Sequence, residues 1–389
     1  MHVAFVLDFF NPHMGYMSNF LPRELSQLGA RVSLVVDANS LEPYIDGELQ
    51  YISIDRDQSI VRVKLSETLQ IIGVPSRKTP IGVYLMQLGE VSNIEGFTVI
   101  HSFAISTSVL NWKLYRISKK LNIALVLQDH SSKSVFYPNL RGKLYIKLFK
   151  TWVAPRYNRK ISRCYIPSPD IIDIVIEHYG ISRELLYYEP LGVNTEWFHY
   201  PTPSEKRDSI TLLSKNSLPT DKFIVLYAGR LTNAKGANLL ALAIGSLNKE
   251  NSEVIGLFIG KGSPKEVAFI KAQPGCHVLP MQLAKHLNEF YWAANLGVWP
   301  REGSTSILDA LACGLPAVVR SGLTETERRP FEELIFQEES VSDLARVIST
   351  QFANPSLPEL GRQASDLICQ EHTWKKIAEK RYSYYLSIS

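Results

Sequence analysis

The sequence predicts an α/β fold with two Rossmann-like αβα domains that face each other across a deep cleft. The chain has 389 residues, which is too long for one typical core and favours two domains. Apolar segments of strand length alternate with segments of helix length in both halves, as in parallel sheets wrapped by helices. A stretch rich in proline, serine and charge, residues 190–209, interrupts this alternation near the middle of the chain.

The first half contains five clear strand patterns, four helix patterns and a shorter continuation. The predicted strands are His2–Asp8, Val32–Asp37, Tyr51–Ile54, Phe97–His101 and Ile123–Gln128. The predicted helices are Tyr16–Leu28, Ile60–Ile71, Val83–Asn93 and Ile105–Leu121. Arg163–Pro167, Ile171–Tyr179 and Leu185–Glu189 continue the pattern. We therefore expect a first domain at residues 1–200, followed by a linker that ends near residue 215.

The second half repeats the same rhythm. The predicted strands are Phe223–Ala228, Val254–Ile259, Leu296–Trp299 and Ala317–Arg320. The predicted helices are Gly236–Leu247, Ala284–Ala294 and Ser304–Cys313, and the tail is helical from Ser342. Ligands of open α/β sheets bind beyond the carboxyl ends of the strands, so the cleft between the two sheets is the expected site.

Composition narrows the functional class. Hydrophobic residues make up 45% and charged residues 21% of the chain, and the net charge is only +4, so nucleic acid is not an expected partner. The four cysteines are far apart and predict neither disulfides nor a zinc site. No apolar run has the pattern of a signal peptide or the roughly 20 residues of a membrane span. We expect a cytoplasmic protein that can lie at the inner face of the membrane.

The segment VWPREGSTSILDALACGLPAVV, which starts at Val298, carries the strongest functional pattern. Ser304, Thr305 and Ser306 lie where its helix begins, and the unpaired N–H groups of a helix start suit a phosphate. Glu302 and Asp309 flank this turn, and ionised carboxylates accept hydrogen bonds from sugar hydroxyls. The segment can therefore bind both the phosphate and the sugar parts of a sugar nucleotide.

A second pattern, GRLTNAKG, begins at Gly229. Arg230 and Lys235 follow a predicted strand, where guanidinium and ammonium groups can hold phosphate oxygens. Two solvated loop cations are the alternative explanation. After the next strand, Gly260 and Gly262 would let a nucleotide approach the backbone, although an ordinary tight turn explains them equally well.

Two residues of the first half have functional positions. Gly15, in the loop after the first strand, can reach into the cleft from the opposite side. The pattern GxGxxG is absent from this loop, which argues against a nicotinamide dehydrogenase. His130 follows the strand Ile123–Gln128. It therefore lies at a strand's carboxyl end, although a single histidine is more often structural.

Asp55-Arg56-Asp57 spells DxD, the metal-binding signature of a different, single-sheet class of sugar transferases. Two acids in a polar turn explain this triplet better. We therefore expect no catalytic metal.

Residues 130–169 contain nine lysines or arginines and no acid. Within 133–163 the cations alternate with aromatic residues, and such a surface can lie on anionic lipid. In the alternative explanation Tyr145, Leu148, Phe149 and Trp152 face the core and the cations face water. The two explanations are compatible.

With these motifs placed, the chain resembles the retaining GT-B glycosyltransferases with nucleotide-sugar donors, the "glycosyltransferases group 1" type. The resemblance covers most of the chain and is strongest over residues 191–316. GVNTEWF, from Gly192, is similar to the family's GVD…F element, and GRLTNAKG to its GR…KG phosphate element. IGKG is similar to its GxG turn, and EGSTSILDALACGLP to its donor motif between two acids.

This resemblance implies roles for single residues. Arg230 and Lys235 would hold the donor diphosphate, Glu302 would bind hydroxyls of the transferred sugar, and His130 would lie near the reacting carbon. These four are the expected catalytic residues. The further expected donor-binding residues are Gly15, Gly229, Gly260, Gly262, Ser304, Thr305, Ser306 and Asp309, the last of these at the ribose hydroxyls. The family's fold also sends the last helix back to the first domain, so we expect a second domain at 201–370 and a crossing helix at 371–389.

The sequence departs from the family at the two acids. They are usually eight residues apart, whereas Glu302 and Asp309 are seven apart, and Asp309 replaces a glutamate. The expected reaction moves a hexose-type sugar to a glycan or lipid-linked acceptor with retention of configuration, without a metal or other cofactor. The alternatives are a sugar-nucleotide epimerase or hydrolase on the same fold, and a binding homologue without catalysis.

Overall fold

The computed structural model describes residues 1–7, 9–12, 17–45, 47, 49–57, 60–78, 84–88, 96–131, 140–249, 253–301 and 303–389. The chain forms two compact units, Met1–Pro190 with Trp374–Ser389, and Leu191–Thr373. The domain bounds expected from the sequence, 1–200, 201–370 and 371–389, stay a prediction.

The first unit is built on a nine-stranded sheet. The strands of this unit are β1 (His2–Val6), β2 (Arg31–Asp37), β3 (Ser53–Asp57), β4 (Ile60–Lys64), β5 (Leu69–Val74), β6 (Ser76–Lys78), β7 (Tyr84–Met86), β8 (Val99–Ser102), β9 (Ala124–Gln128), β10 (Ile161–Ile166) and β11 (Leu186–Tyr188). The sheet order is β11-β10-β9-β8-β1-β2-β5-β4-β3. Strands β3 and β4 are antiparallel additions at one edge, and β6 pairs separately with β7.

Helices and helical turns connect these strands. The helices are α1 (Met17–Gln27), α2 (Ala38–Ile45), α3 (Val109–Leu121), α4 (Leu140–Leu148) and α5 (Ala154–Tyr157), with π-helical turns at Phe149–Val153 and Ile174–His178. The Ser108 side chain accepts a hydrogen bond from the N–H of Asn111 and caps α3, and Asn122 ends that helix in the left-handed conformation with φ 52°. Serine is favoured at a helix start because its hydroxyl accepts a hydrogen bond from an unpaired backbone N–H. Asparagine is favoured at a helix end because it tolerates the left-handed conformation.

The helix predicted at Ile60–Ile71 is wrong, because this stretch forms all of β4 and the first half of β5. Isoleucine and valine make up three of the five residues of β4, and their branched side chains pack well on a pleated surface. Part of the helix predicted at Val83–Asn93 is also wrong, since Tyr84–Met86 is a strand; residues 83 and 89–95 lie outside the described residues. The other predicted strands and helices are present with bounds shifted by a few residues.

The DxD triplet lies in the exposed strand β3 rather than in a polar turn. Arg56 forms an ion pair with Glu42 at 2.6 Å across the surface. The middle residue of the triplet therefore has an ordinary structural partner.

The basic segment differs from the core-facing explanation. Tyr145, Leu148 and Trp152 are exposed, whereas Phe149 is buried. That explanation is therefore correct for Phe149 and wrong for Leu148 and Trp152. Tyr145 is partly exposed, and its hydroxyl donates to the carbonyl of Thr107 in its own unit. No helix in the described part of the chain is long and apolar enough to cross a bilayer.

The second unit is built on a six-stranded, fully parallel sheet. Its strands are β12 (Phe223–Ala228), β13 (Val254–Ile259), β14 (Cys276–Leu279), β15 (Leu296–Trp299), β16 (Ala317–Arg320) and β17 (Ile335–Phe336). The order is β14-β13-β12-β15-β16-β17. Residues of β12, β13 and β15 are almost all buried, which agrees with their continuous apolar sequences.

This unit contains more helices than the sequence predicted. They are α6 (Pro203–Lys215), α7 (Ala237–Lys249), α8 (Pro264–Lys271), α9 (Leu287–Ala293), α10 (Thr305–Ala312), α11 (Val341–Phe352) and α12 (Leu357–Glu371). Helix α6 occupies the second half of the predicted linker. The Thr202 hydroxyl accepts from the N–H of Glu205 at 3.3 Å, and the Glu205 carboxylate accepts from the N–H of Thr202 at 2.8 Å. This capping box starts a helix despite the polar composition.

The last helix, α13 (Trp374–Ile388), belongs to the first unit. Its Arg381 is fully buried and donates to the Glu189 carboxylate at 2.5 Å and to the Gln128 side chain at 2.7 Å. Tyr385 lies 2.5 Å from Nδ1 of His101. Burial, with Arg381 nearby, lowers the pKa of His101 well below its usual value, so this imidazole is neutral at pH 7. A buried ion pair and two further polar contacts therefore fasten α13 to the sheet.

Candidate functional site

The candidate site lies at the carboxyl edge of the second sheet. Strands β13, β12, β15 and β16 are neighbours and parallel, so the loops that follow them meet at one edge. Three of these loops hold the residues that the sequence singled out. Two contacts join the loop after β15 to the end of β12, because Ser306 and the Trp299 indole both donate to the Ala228 carbonyl, each at 3.1 Å.

The loop after β12 presents the predicted cations. Arg230 is exposed, and its side chain has no hydrogen bond or ion pair with the part of the chain that the structure describes. Its carbonyl is held by the Tyr227 hydroxyl at 2.9 Å. Lys235 is half-buried at the end of a short 3₁₀ turn, which Gly236 closes with φ 84°. The loop therefore holds the backbone of Arg230 in place and leaves its guanidinium available to an anion.

The glycines of this edge serve the packing of two loops. A Cβ on Gly260 would lie 1.8 Å from the carbonyl oxygen of Gly229, and one on Gly262 would lie 2.7 Å from that of Leu231. The N–H of Leu231 donates to the backbone carbonyl of Lys261 at 2.9 Å across the same contact between the two loops. Neighbouring backbone therefore accounts for these glycines. Their predicted role toward a nucleotide stays a prediction.

We expect Gly260→Ala to destabilise the second unit by at least about 2 kcal/mol, because the two loops must separate to admit the methyl group. The melting temperature of this unit should fall by about 5 °C. Gly96→Ala is the control, since Gly96 also has a positive φ, 62°, but no atom of the described residues lies within 4 Å of its added Cβ. Equal melting temperatures for the two variants would contradict this account.

Helix α10 begins at the same edge. Ser304 caps it and accepts from the N–H of Ser306 at 3.4 Å. The Ser306 hydroxyl donates to Ala228, and so its 2.7 Å contact with Ser304 uses the Ser304 proton. Both serine hydroxyls thus donate their hydrogen bonds to other groups of the protein. Thr305 is exposed at the first helical position, and backbone N–H groups at a helix start can bind a phosphate.

Asp309 lies one turn further along α10. It is half-buried, and its carboxylate accepts no hydrogen bond from any residue that the structure describes. Desolvation raises the pKa of its carboxyl to about 8, and Arg328 opposes this shift. Water still reaches part of the side chain, which limits the size of the shift. A ligand with two hydroxyl donors would supply the missing partners and stabilise the ionised form.

The sequence did not reveal the role of Arg301. Its guanidinium binds the Glu339 carboxylate at 2.7 and 2.5 Å and also donates to Asn233. The pKa of Glu339 is lowered mainly by this hydrogen bond. Arg301 thus ties the loop that carries Lys235 to the loop that precedes α10. Arg301 stands eight residues before Asp309. In the family that the chain resembles, an acid is usual at this spacing. The arginine at this position was the one sign in the sequence that Arg301 has a different role.

A buried charge cluster lies under the same loop. Arg328 is buried and lies 3.5 Å from Glu325 and 3.4 Å from Glu327. A Cβ on Gly303 would lie 2.7 Å from the Arg328 guanidinium. The cluster supports the loop and places a positive charge near Asp309. Sequence reasoning missed it, because three charged residues within four positions indicate a solvated loop.

Three predicted residues are not among the residues described at this edge. Gly15 and Glu302 lie outside the described residues. His130 lies in the first unit, is exposed, and stacks with Phe103 at 6.3 Å between ring centroids. Desolvation lowers the pKa of His130 to about 4, Asp129 raises it and Arg381 lowers it. Solvent reaches the ring and reduces the desolvation, but a histidine with its usual pKa is also mainly neutral at pH 7.

Comparisons with known proteins identify a family model and relatives that are similar to this chain. Residues 222–354 match the family described as "Glycosyl transferases group 1". Over 154 residues the chain is 29% identical to D-inositol 3-phosphate glycosyltransferase from Xylanimonas cellulosilytica. The match spans 37% of this chain and 37% of that protein's length.

Two solved structures are similar over the whole chain. A glycosyltransferase from Rickettsia africae has a TM-score of 0.73 and 14% identity, covering 100% of this chain and 98% of the other. Anabaena Alr3699/HepE in complex with UDP and glucose has a TM-score of 0.69 and 14% identity, covering 100% of both chains. Such neighbours have the GT-B fold with two Rossmann-like units, so the predicted fold class is confirmed.

Proposed function

We propose that this protein is a glycosyltransferase that moves a hexose-type sugar from a nucleoside-diphosphate sugar to a glycan or lipid-linked acceptor. One observation carries the proposal. The exposed, unpartnered guanidinium of Arg230 shares a sheet edge with the α10 helix start and the unpaired carboxyl of Asp309. A free cation and backbone N–H donors can bind a diphosphate, and a carboxylate can accept hydrogen bonds from hydroxyl groups. The family match at residues 222–354 covers these elements.

The proposed donor position follows from these groups. Arg230 and Lys235 bind the diphosphate, together with the backbone at Ser304, Thr305 and Ser306. Asp309 accepts from the ribose hydroxyls. Gly229, Gly260 and Gly262 keep the two loops close enough to form one binding surface. The glucose and UDP bound to Anabaena Alr3699/HepE support a donor of this chemical class.

The proposed chemistry is electrostatic. Cleavage of the sugar–phosphate bond leaves negative charge on the diphosphate, and preorganised cations stabilise that charge without reorganisation. The reaction would then need no metal. We propose retention of configuration, with attack on the face that the diphosphate leaves and transfer of the acceptor proton to the leaving phosphate. The neutral imidazole of His130 would hydrogen-bond the transferred sugar, and Glu302 would bind its hydroxyls.

The acceptor is proposed to meet the first unit. Residues 133–163 carry cations without acids, which favours an anionic or lipid-linked acceptor at a membrane face. We therefore propose a cytoplasmic enzyme that works at the inner face of the membrane.

One observation favours a second candidate, a nucleotide-sugar-binding protein without turnover. Arg301 stands eight residues before Asp309, and its side chain is engaged by Glu339. If no acid serves the transferred sugar, the protein would bind the donor and release no product. The free guanidinium of Arg230 is explained by both candidates. Only turnover separates them.

The test uses UDP-, GDP- and ADP-sugars labelled in the sugar. A thermal-shift panel first identifies the nucleotide, because a ligand that binds only the folded state raises the melting temperature. The selected donor is then incubated with glycan and lipid-linked acceptors, and both nucleoside diphosphate and labelled product are measured. Labelled acceptor supports transfer. Free sugar or a rearranged nucleotide sugar indicates hydrolysis or epimerisation, and binding without any product indicates the second candidate.

A further inference from the structure

A line of large apolar side chains lies on the surface of the first unit. Leu140, Leu144, Leu148 and Trp152 follow one another every fourth residue through α4 and the π-helical turn. Their exposed fractions are 85%, 60%, 49% and 62%. Residues four apart share one helix face, so these side chains form a continuous exposed stripe. Soluble surfaces rarely carry such a patch without a partner.

The opposite side of this segment is anchored. The Tyr145 hydroxyl donates to the carbonyl of Thr107 at 2.6 Å. Phe149 is buried and packs edge-on against Tyr157, with 5.5 Å between ring centroids. These contacts set the rotation of the segment about its axis. The stripe therefore points away from its own unit as a consequence of the fold.

Uncompensated cations flank the stripe. Arg141, Lys143 and Lys147 are exposed, and none has a carboxylate partner among residues the structure describes. Lys150 donates instead to the carbonyl of Glu177. No acid occurs between residues 130 and 169. The surface therefore combines insertable apolar groups with a positive rim, which is complementary to a bilayer with anionic headgroups.

We propose that residues 140–152 are a membrane-docking surface for anionic bilayers. The three leucines and Trp152 enter the boundary between headgroups and acyl chains, and Arg141, Lys143 and Lys147 contact lipid phosphates. A tryptophan suits this depth because its ring is apolar and its N–H remains near water. The inference deepens the proposed membrane-facing acceptor by naming the surface, and its test needs neither donor nor acceptor.

The test is co-sedimentation of the full chain with phosphatidylglycerol/phosphatidylcholine vesicles, and with vesicles of phosphatidylcholine alone, at low salt. The wild type should bind only the anionic vesicles. Leu144→Asp/Leu148→Asp should weaken binding by tenfold or more, because the variant loses the free energy of burying two leucine side chains in the bilayer. Lys143→Glu/Lys147→Glu should weaken binding to the anionic vesicles at least about fivefold per residue. Added salt should also weaken the binding of the wild type, because it screens these charges.

The matched controls make the same changes elsewhere. Leu242→Asp/Leu386→Asp alters two leucines that are 40% and 51% exposed on other helices, and Lys265→Glu/Lys271→Glu alters two exposed lysines of the second unit. Both controls should bind like the wild type, and the melting temperature of every variant verifies folding. Absence of wild-type binding, or binding that needs the lysines but not the leucines, would overturn the proposal. Nucleotide-induced thermal shifts are measured separately, so failure here leaves the proposed transfer untouched.

Discussion

Arg230→Ala is expected to lower the rate of donor turnover about 10²–10³-fold, and Lys235→Ala should act in the same direction. Both cations are placed at the diphosphate, and the side chain of Arg230 has no other partner in the described part of the chain. Removing it should therefore cost charge stabilisation and leave folding intact. Arg230→Lys keeps the charge but loses the forked pair of donors, so an intermediate rate is expected. The measurement is release of nucleoside diphosphate from the donor that the thermal-shift panel selects.

Lys271→Ala is the control for this pair, because Lys271 is an exposed lysine at the end of α8. Its turnover and its nucleotide-induced thermal shift should match the wild type. The Arg230 and Lys235 variants should lose most of the nucleotide-induced shift while keeping their own melting temperature. Unchanged turnover in both variants would place the active site elsewhere.

Arg381→Met is expected to destabilise the first unit by about 3–5 kcal/mol, because it leaves the carboxylate of Glu189 buried without its counter-charge. Arg381 is fully buried, Glu189 is nearly so, and the two are 2.5 Å apart. The guanidinium also lies 3.9 Å from the centroid of the Tyr165 ring. The two-unit chain is not expected to unfold in one step. Amide hydrogen exchange in β9 and β10 is therefore the appropriate measurement.

Two variants separate the charge effect from packing. Glu189→Leu/Arg381→Met removes both charges and should recover much of the lost stability, since paired buried ions are often replaceable by apolar residues. Arg346→Met removes an exposed ion pair with Asp343, 2.7 Å long, and should cost less than about 1 kcal/mol. If Arg381→Met costs no more than Arg346→Met, the buried pair does not fasten α13.

The elements of the second unit were predictable because its strands are buried on both faces. Phe223–Ala228 and Val254–Ile259 are uncharged, mainly apolar runs that are each followed by a glycine, and each forms a strand with the predicted bounds. The helix predicted at Ile60–Ile71 was wrong because short apolar runs fit both the helical and the strand period. Antiparallel pairing between β4 and β5 near the sheet edge makes this stretch form strands rather than a helix. Local sequence does not specify such pairing.

The candidate site was only partly predictable. Arg230, Asp309 and the start of α10 follow from motif order and from the edge at which parallel strands end. The engagement of Arg301 by Glu339 joins residues that are 38 apart in the chain. The contact between Gly260 and Gly229 likewise depends on the approach of two separate loops. Such contacts arise only when the sheet brings the loops together.

Local chemistry in the sequence was sufficient for the α/β class, most strand positions and the helix start beside the donor motif. These features depend on side-chain periodicity and on unpaired N–H groups, which neighbouring residues dictate. Burial and partner choice between distant residues came from tertiary packing alone. The pairing of Arg381 with Glu189 across 192 residues and the outward direction of Leu144 and Trp152 are examples. Each reflects which surfaces the folded sheet can cover, and a sequence pattern cannot specify that.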